Sequence, residues 1–139
     1  YRNGTACPVP VRFFNPLWRS PEESQKINTT ITGGGGGVDG AQADVYSFGN
    51  LLFLLVARHK PWLHLELKKP SIEMVMQQKV AGEMPHMPIK YIERMEAKIL
   101  WEAVQACYRL DPQTRPTAYE LAQAIGTAYN WIRDSKNKE

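Results

Sequence analysis

A mainly α fold, with about five helices around one buried central helix, is predicted by three observations. Residues 44–57 carry the unbroken run Leu51, Leu52, Phe53, Leu54, Leu55, Val56, and a helix apolar on every side is usually buried all round. Two later stretches, 91–108 and 117–132, repeat apolar residues at three and four, the period of a helix with one covered face. No segment shows the alternation of a half-buried strand. The central run needs only about 14 residues, or roughly 21 Å of helix. That crosses a small domain but falls short of the ~20 apolar residues of a membrane span.

The totals suit one soluble-type domain. The chain has 139 residues, 43% hydrophobic and 22% charged, with a formal net charge of +3. Its Lys and Arg are scattered, and only Lys68-Lys69 and Lys136/Lys138 stand close together. A nucleic-acid face would cluster them more densely, so no nucleic-acid partner is expected. Cys7 and Cys107 have no Cys or His at metal-ligand spacing. They read as free thiols of a reducing, intracellular (cytoplasmic) compartment, with no metal site. No signal peptide is visible, and a start at Tyr1-Arg2-Asn3 reads as a piece of a longer protein.

Residues 1–19 hold Pro8, Pro10 and Pro16 without helical period, hence an extended segment or loop. Ser20-Pro21-Glu22-Glu23 is a helix start: Ser20 caps, Pro21 fits the first helical position, and Glu23 completes a capping box. Glu22 is thereby left to reach elsewhere. The five glycines Gly33 to Gly37 are followed by Val38, Asp39 and Gly40. A phosphate-cradling loop needs Lys and Ser/Thr there, so 33–40 reads as a flexible insertion.

The central helix stops at the turn Arg58-His59-Lys60-Pro61-Trp62, and Lys68-Lys69-Pro70 is a second break. Ser71 can cap a helix to Ala81 with Gly82 at its stop. Ile72, Val75 and Met76 share its inner face, with Lys79 on the other side. Pro85 and Pro88 bracket a loop. In 91–108 the stripe is Ala97, Leu100, Trp101, Val104 and Tyr108, with Cys107 beside it. Asp111-Pro112 ends that helix. Thr117-Ala118-Tyr119-Glu120 is a second capping box, and Leu121, Ala124, Ile125, Ala128 and Ile132 form the last stripe. The domain therefore runs 20–132, and 133–139 is a polar tail expected to fray.

Chemistry is harder to place. His59, His64 and His86 have no Ser, Cys or carboxylate at a catalytic spacing, and no paired carboxylates stand out. No self-contained active site is visible. Glu22 and Arg115 stand apart from ordinary packing, both beside helix starts in proline-flanked settings. A guanidinium offers a planar fork for a carboxylate, so the two could tie the ends of the chain together.

At these residues the sequence resembles the C-terminal lobe of a protein kinase. Trp18-Arg19-Ser20-Pro21-Glu22-Glu23 resembles the Ala-Pro-Glu motif closing the activation segment, with Ser20 in the alanine place. Asp44-Val45-Tyr46-Ser47-Phe48-Gly49 resembles the Asp-x-Trp-x-x-Gly motif opening the central helix, in wording near the tyrosine-kinase-like branch. Asp111-Pro112-Gln113-Thr114-Arg115-Pro116-Thr117 resembles the Asp-Pro-x-x-Arg-Pro-Thr motif before the last helix. The three occur in the family's order over almost the whole chain.

The resemblance implies a helical kinase C-lobe, with 1–19 as the end of the activation segment and the peptide-positioning loop. Asn15, Pro16, Leu17 and Trp18 would position substrate, although the family usually has Thr or Ser in place of Asn15. Glu22 and Arg115 would be the lobe's structural ion pair. Asp44 would anchor the backbone of the catalytic loop. Phosphoryl transfer by a kinase needs a Gly-rich loop with a strand Lys, a His-Arg-Asp loop with its Asn, and an Asp-Phe-Gly. That set is not in these residues, and in the family it lies upstream. The implied function is ATP- and Mg-dependent transfer to protein Ser/Thr by a full-length enzyme, with no catalytic residue and no cofactor in this chain. The alternatives are a pseudokinase or kinase-like scaffold and, from the residues alone, an unrelated helical interaction domain. Expected partners are an N-terminal kinase lobe and catalytic loop in cis, and a protein substrate or partner; no membrane segment is expected here.

Overall fold

The structure is a computed structural model that describes residues 8–9, 17–30, 38–62 and 72–137. It is mainly helical. Five α-helices are described: α1 (Pro21–Thr30), α2 (Gly40–Ala57), α3 (Ile72–Val80), α4 (Met95–Cys107) and α5 (Ala118–Lys136). Short 3-10 turns at Ile89–Tyr91 and Pro112–Thr114 precede α4 and α5. Two two-residue strands, β1 (Pro8–Val9) and β2 (Val38–Asp39), pair antiparallel with Pro8 opposite Asp39. The glycine run, Cys7, His64 and Ser71 lie outside the described residues.

Helix α2 starts at Gly40, four residues ahead of the expected Asp44, because Asp39 supplies the cap. Its carboxylate accepts from the N–H groups of Ala41 at 3.0 Å and Gln42 at 3.4 Å, satisfying donors that the first turn leaves open. The helix ends at Arg58, in the left-handed region at φ 57°, whose N–H donates to the Leu54 carbonyl.

The expectation that α2 is covered on every side is corrected. Tyr46, Leu52, Phe53, Val56 and Ala57 are buried, but Phe48, Leu51 and Leu55 are exposed, Leu55 to 68%. These three sit at i, i+3 and i+7, so they form one stripe of the helix. The opposite face packs chiefly on α4, where Tyr46, Phe53, Val104 and Tyr108 make the core. The Tyr46 and Tyr108 ring centroids are 4.8 Å apart, and Phe53 meets the edge of Trp101 at 6.3 Å. Helix α5 packs on α4, and α1 on α3.

Gly49 sets the α2–α4 distance. A Cβ there would lie 2.7 Å from the Cys107 Cβ, closer than carbon atoms can come. Gly49→Ala is therefore expected to destabilise by about 1–3 kcal/mol through overpacking, reduced by the ~1 kcal/mol of better helix propensity. A melting curve checks this: the variant should melt below the wild type despite its better helix former.

Two further boundaries and one buried face differ. Helix α4 begins at Met95, because Ile89–Tyr91 is a 3-10 turn. Helix α5 continues to Lys136, where the Lys136 ammonium pairs with Glu96 on α4, so residues 133–136 are helix and not frayed tail. In α3, Val75 is buried as expected, but Ile72 is exposed and Lys79 is only 1% exposed. Lys79 follows Val75 by four, so helical geometry puts both on one face. Its amine turns inward because buried carbonyls await it there. Among the described residues, no helix is long and apolar enough to cross a membrane.

Candidate functional site

The residues that could act lie where α1, α2 and the turn before α5 meet. In the first turn of α1, Glu23 is consumed locally. The Ser20 N–H and hydroxyl donate to its carboxylate at 2.9 and 3.0 Å, and Arg19 pairs with it. Glu22, one residue earlier, points toward Arg115. That arginine sits between the 3-10 turn, held by Asp111 accepting from the Gln113 N–H at 2.9 Å, and the α5 cap Thr117.

Arg115 is 4% exposed, and each of its five N–H donors has an acceptor. Nη1 donates to Glu22 Oε1 at 2.6 Å and to the Gln42 carbonyl at 3.0 Å. Nη2 donates to Glu22 Oε2 at 2.8 Å and to the Leu110 carbonyl at 3.3 Å. Nε donates to the Arg109 carbonyl at 2.8 Å. The guanidinium also lies 5.1 Å from the Tyr46 ring centroid, a cation–π distance. A fork–fork pair of this kind fixes orientation as well as distance. It joins residues 93 apart in sequence, and Arg115 also engages the first turns of α2 through the Gln42 carbonyl and the Tyr46 ring. Burial pushes the Tyr46 hydroxyl far above its ordinary acidity range, with the Arg115 charge opposing, so Tyr46 stays neutral beside the pair. Burial likewise pushes the Cys107 thiol up to about 11, and an uncharged buried thiol is a packing group, not a nucleophile.

A second cluster holds the turn 17–19. The Asn50 amide donates to the Trp18 carbonyl at 2.9 Å, and the Ser47 hydroxyl donates to the same oxygen at 3.3 Å. The Tyr108 hydroxyl donates to Asn50 Oδ1 at 2.8 Å, which sets the amide's orientation. Lys79 Nζ donates to the Leu17 carbonyl at 2.6 Å and the Arg19 carbonyl at 2.8 Å. All three carbonyls of the turn are thus taken by side chains from α2 and α3. Of the candidate substrate-positioning residues, Leu17 and Trp18 are in this turn, and Asn15 and Pro16 lie outside the described residues.

The third feature is an apolar groove of about 1030 Å³ between the exposed stripe of α2 and the start of α5. Trp18, Asp44, Phe48, Leu51, Tyr119 and Ile125 line it. Asp44 is exposed there, and it is not part of the Glu22–Arg115 pair. The Gln42 Oε1 atom, on the same wall, is buried without a hydrogen-bond donor among the described residues.

Asn50 and Lys79 are the functional residues that sequence reasoning misses. Asn50 carries a signal: a lone amide entering the run Leu51 to Val56 must find partners if buried. Two of the three histidines are among the described residues. His59 packs its ring against Phe53 and Tyr91, and His86 is exposed. Among the described residues no group of His, Cys, Asp and Glu could hold a metal ion.

Comparison with known proteins finds distant, partial similarity to curated proteins. A putative mitogen-activated protein kinase kinase kinase 7-like protein of Drosophila melanogaster is 28% identical over 90 residues, which is 64% of this chain and 22% of that protein. The receptor-type guanylate cyclase gcy-10 of Caenorhabditis elegans is 27% identical over 90 residues, 63% of this chain and 8% of that protein. The chain thus spans less than a quarter of either relative. No protein-family profile matches it.

Proposed function

We propose that this chain is the C-terminal helical lobe of a protein-kinase-type domain, residues 20–132 with the peptide-positioning loop before them. In the full-length protein the lobe carries the protein-binding half of ATP- and Mg-dependent phosphoryl transfer to Ser or Thr. The observation that carries this reading is the buried Glu22–Arg115 fork, which joins the Ala-Pro-Glu-like motif to the Asp-Pro-x-x-Arg-Pro-Thr-like motif. The exposed stripe of α2 supports it. Asp44, Phe48 and Leu51 line an apolar groove, and a further segment of a catalytic domain covering it would bring its backbone to Asp44. In this reading Glu22 and Arg115 are the lobe's ion pair, Asp44 is the catalytic-loop anchor, and residues 15–18 meet the substrate peptide.

Catalysis itself would come from residues outside this chain: an N-terminal lobe with its strand Lys, a catalytic-loop Asp and a metal-binding Asp. Two outcomes test the reading. The 139-residue chain alone should show no thermal shift with ATP and magnesium, since a ligand that binds only the native state raises its melting temperature. The full-length protein should transfer phosphate from ATP to a protein substrate and lose that activity when its catalytic-loop Asp is replaced. A clear shift in the isolated chain would put a nucleotide site where this reading has none.

One observation favours a second reading, a kinase-like scaffold without catalysis. A 90-residue match lies in a protein named as a receptor-type guanylate cyclase, not as a kinase. A full-length protein that folds, binds its partner protein and transfers no phosphate would select the scaffold.

A further inference from the structure

We propose that Lys79 is a positioning residue: its side chain, reaching from α3, sets the shape of the 17–19 turn, so that the turn follows the position of α3. The geometry is specific. Nζ spans two carbonyls separated by one residue, Leu17 and Arg19, while Asn50 holds the carbonyl between them. The contacts cross 62 and 60 residues of sequence. Side chains of α2 and α3 reach the turn across the fold, Asn50 from the one and Lys79 from the other, beside the local Arg19–Glu23 pair.

The amine is held as tightly as what it holds. Lys79 is 1% exposed, and its Nζ lies 5.5 Å from the Tyr46 ring centroid and 5.9 Å from that of Trp62. Tyr46 is the same ring that Arg115 approaches at 5.1 Å. The Glu23 carboxylate of α1, which Arg19 also pairs with, acts on the amine, and Arg115 lies against the same Tyr46 ring. Burial lowers the Lys79 pKa from 10.5 to about 7, and the Glu23 carboxylate opposes this. A neutral amine has two N–H donors, enough for the two carbonyls, so both forms can hold the turn.

The sign follows from proton counting. Between pH about 7 and 10.5 the unfolded chain carries a proton on Lys79 that the folded chain does not. Stability therefore rises with pH across that window, and below it this group's destabilising effect is constant and at its largest. The Leu17 and Arg19 carbonyls keep their donors in both forms, and what changes over the lower edge of the same window is the charge beside them.

The role of the turn in presenting a peptide rests on the kinase-lobe reading; the clamp does not. Its test uses the 139-residue chain, labelled with 13C at lysine Cε and 15N in the backbone. One lysine should titrate near pH 7, and the amide shifts of Trp18, Arg19 and Ser20 should follow with the same midpoint. Lys79→Met should remove that titration and speed exchange of the Ser20 amide at least tenfold relative to amides of α4. Lys79→Arg, which keeps donors but does not titrate, should restore Ser20 protection and leave no midpoint near 7. The proposal is overturned if the 18–20 amides ignore the Lys79 titration, or if Lys79→Met slows or leaves unchanged the exchange at Ser20. Should Lys79→Met fail to fold, the wild-type titration alone decides. None of these readouts depends on phosphoryl transfer, so a full-length protein without kinase activity would remove the kinase reading and leave the clamp standing.

Discussion

Arg115→Ala is expected to destabilise the chain by about 3–5 kcal/mol, the range for removing one partner of a buried ion pair. On a domain of this size that lowers the melting temperature by on the order of 10 °C or more. The loss is large because the Glu22 carboxylate is left without the fork that binds both its oxygens. The Gln42, Arg109 and Leu110 carbonyls lose their donor at the same time. Lysine is no substitute. One ammonium cannot span both Glu22 oxygens and three carbonyls in the plane that the guanidinium fills, so Arg115→Lys should recover only a minor part of the loss. Differential scanning calorimetry of the three proteins checks both statements. An Arg115→Ala melting curve superimposable on the wild type would mean the fork contributes nothing.

Phe53→Ala is the second large effect, at about 3–5 kcal/mol, the cost of emptying a buried aromatic site. Phe53 is fully buried in the α2–α4 core, against Trp101 and His59. Its value as a test comes from a neighbour two positions on. Leu55→Ala removes a comparable apolar side chain from the same helix, but Leu55 is 68% exposed, so the change should stay within about 0.5 kcal/mol. Chemical denaturation of the pair reads the sidedness of α2 directly. Equal losses at 53 and 55 would mean the helix is covered all round in solution, as its composition suggests.

That contrast marks where sequence reading stops. The run Leu51 to Val56 announces a helix but not a face, because every position is apolar and periodicity has nothing to separate. The faces are set by Gly49, which admits Cys107 and brings α4 onto one side. Capping chemistry is legible: Thr117 and Glu120 form the reciprocal box read from their spacing, with the Glu120 N–H donating to Thr117 Oγ1 at 3.2 Å and the Thr117 N–H to Glu120 Oε2 at 2.8 Å. Asp39, behind a glycine run, caps α2 just as firmly, but Asp44 offers the more familiar motif and draws the boundary four residues late. Of the candidate site, Glu22 and Arg115 can be singled out because each is left over after its neighbours are assigned to caps. Lys79 cannot. A lysine in an amphipathic helix is usually a solvent-facing residue, and only the distant carbonyls of Leu17 and Arg19 explain why this one faces inward.

The two buried clusters share Tyr46, whose ring lies near both cations. The Arg115 cluster joins α1 to the turn before α5, and the Lys79 cluster joins α3 to the turn before α1. One ties α1 to the turn before α5, and the other holds the 17–19 turn.

A double-mutant cycle on Glu22→Gln and Arg115→Met, measured by urea denaturation, asks most directly whether the fork holds the lobe together. A coupling of about 2 kcal/mol or more between the two sites is predicted, so that the double variant is far less damaged than the sum of the single ones. Losses that simply add would contradict the account.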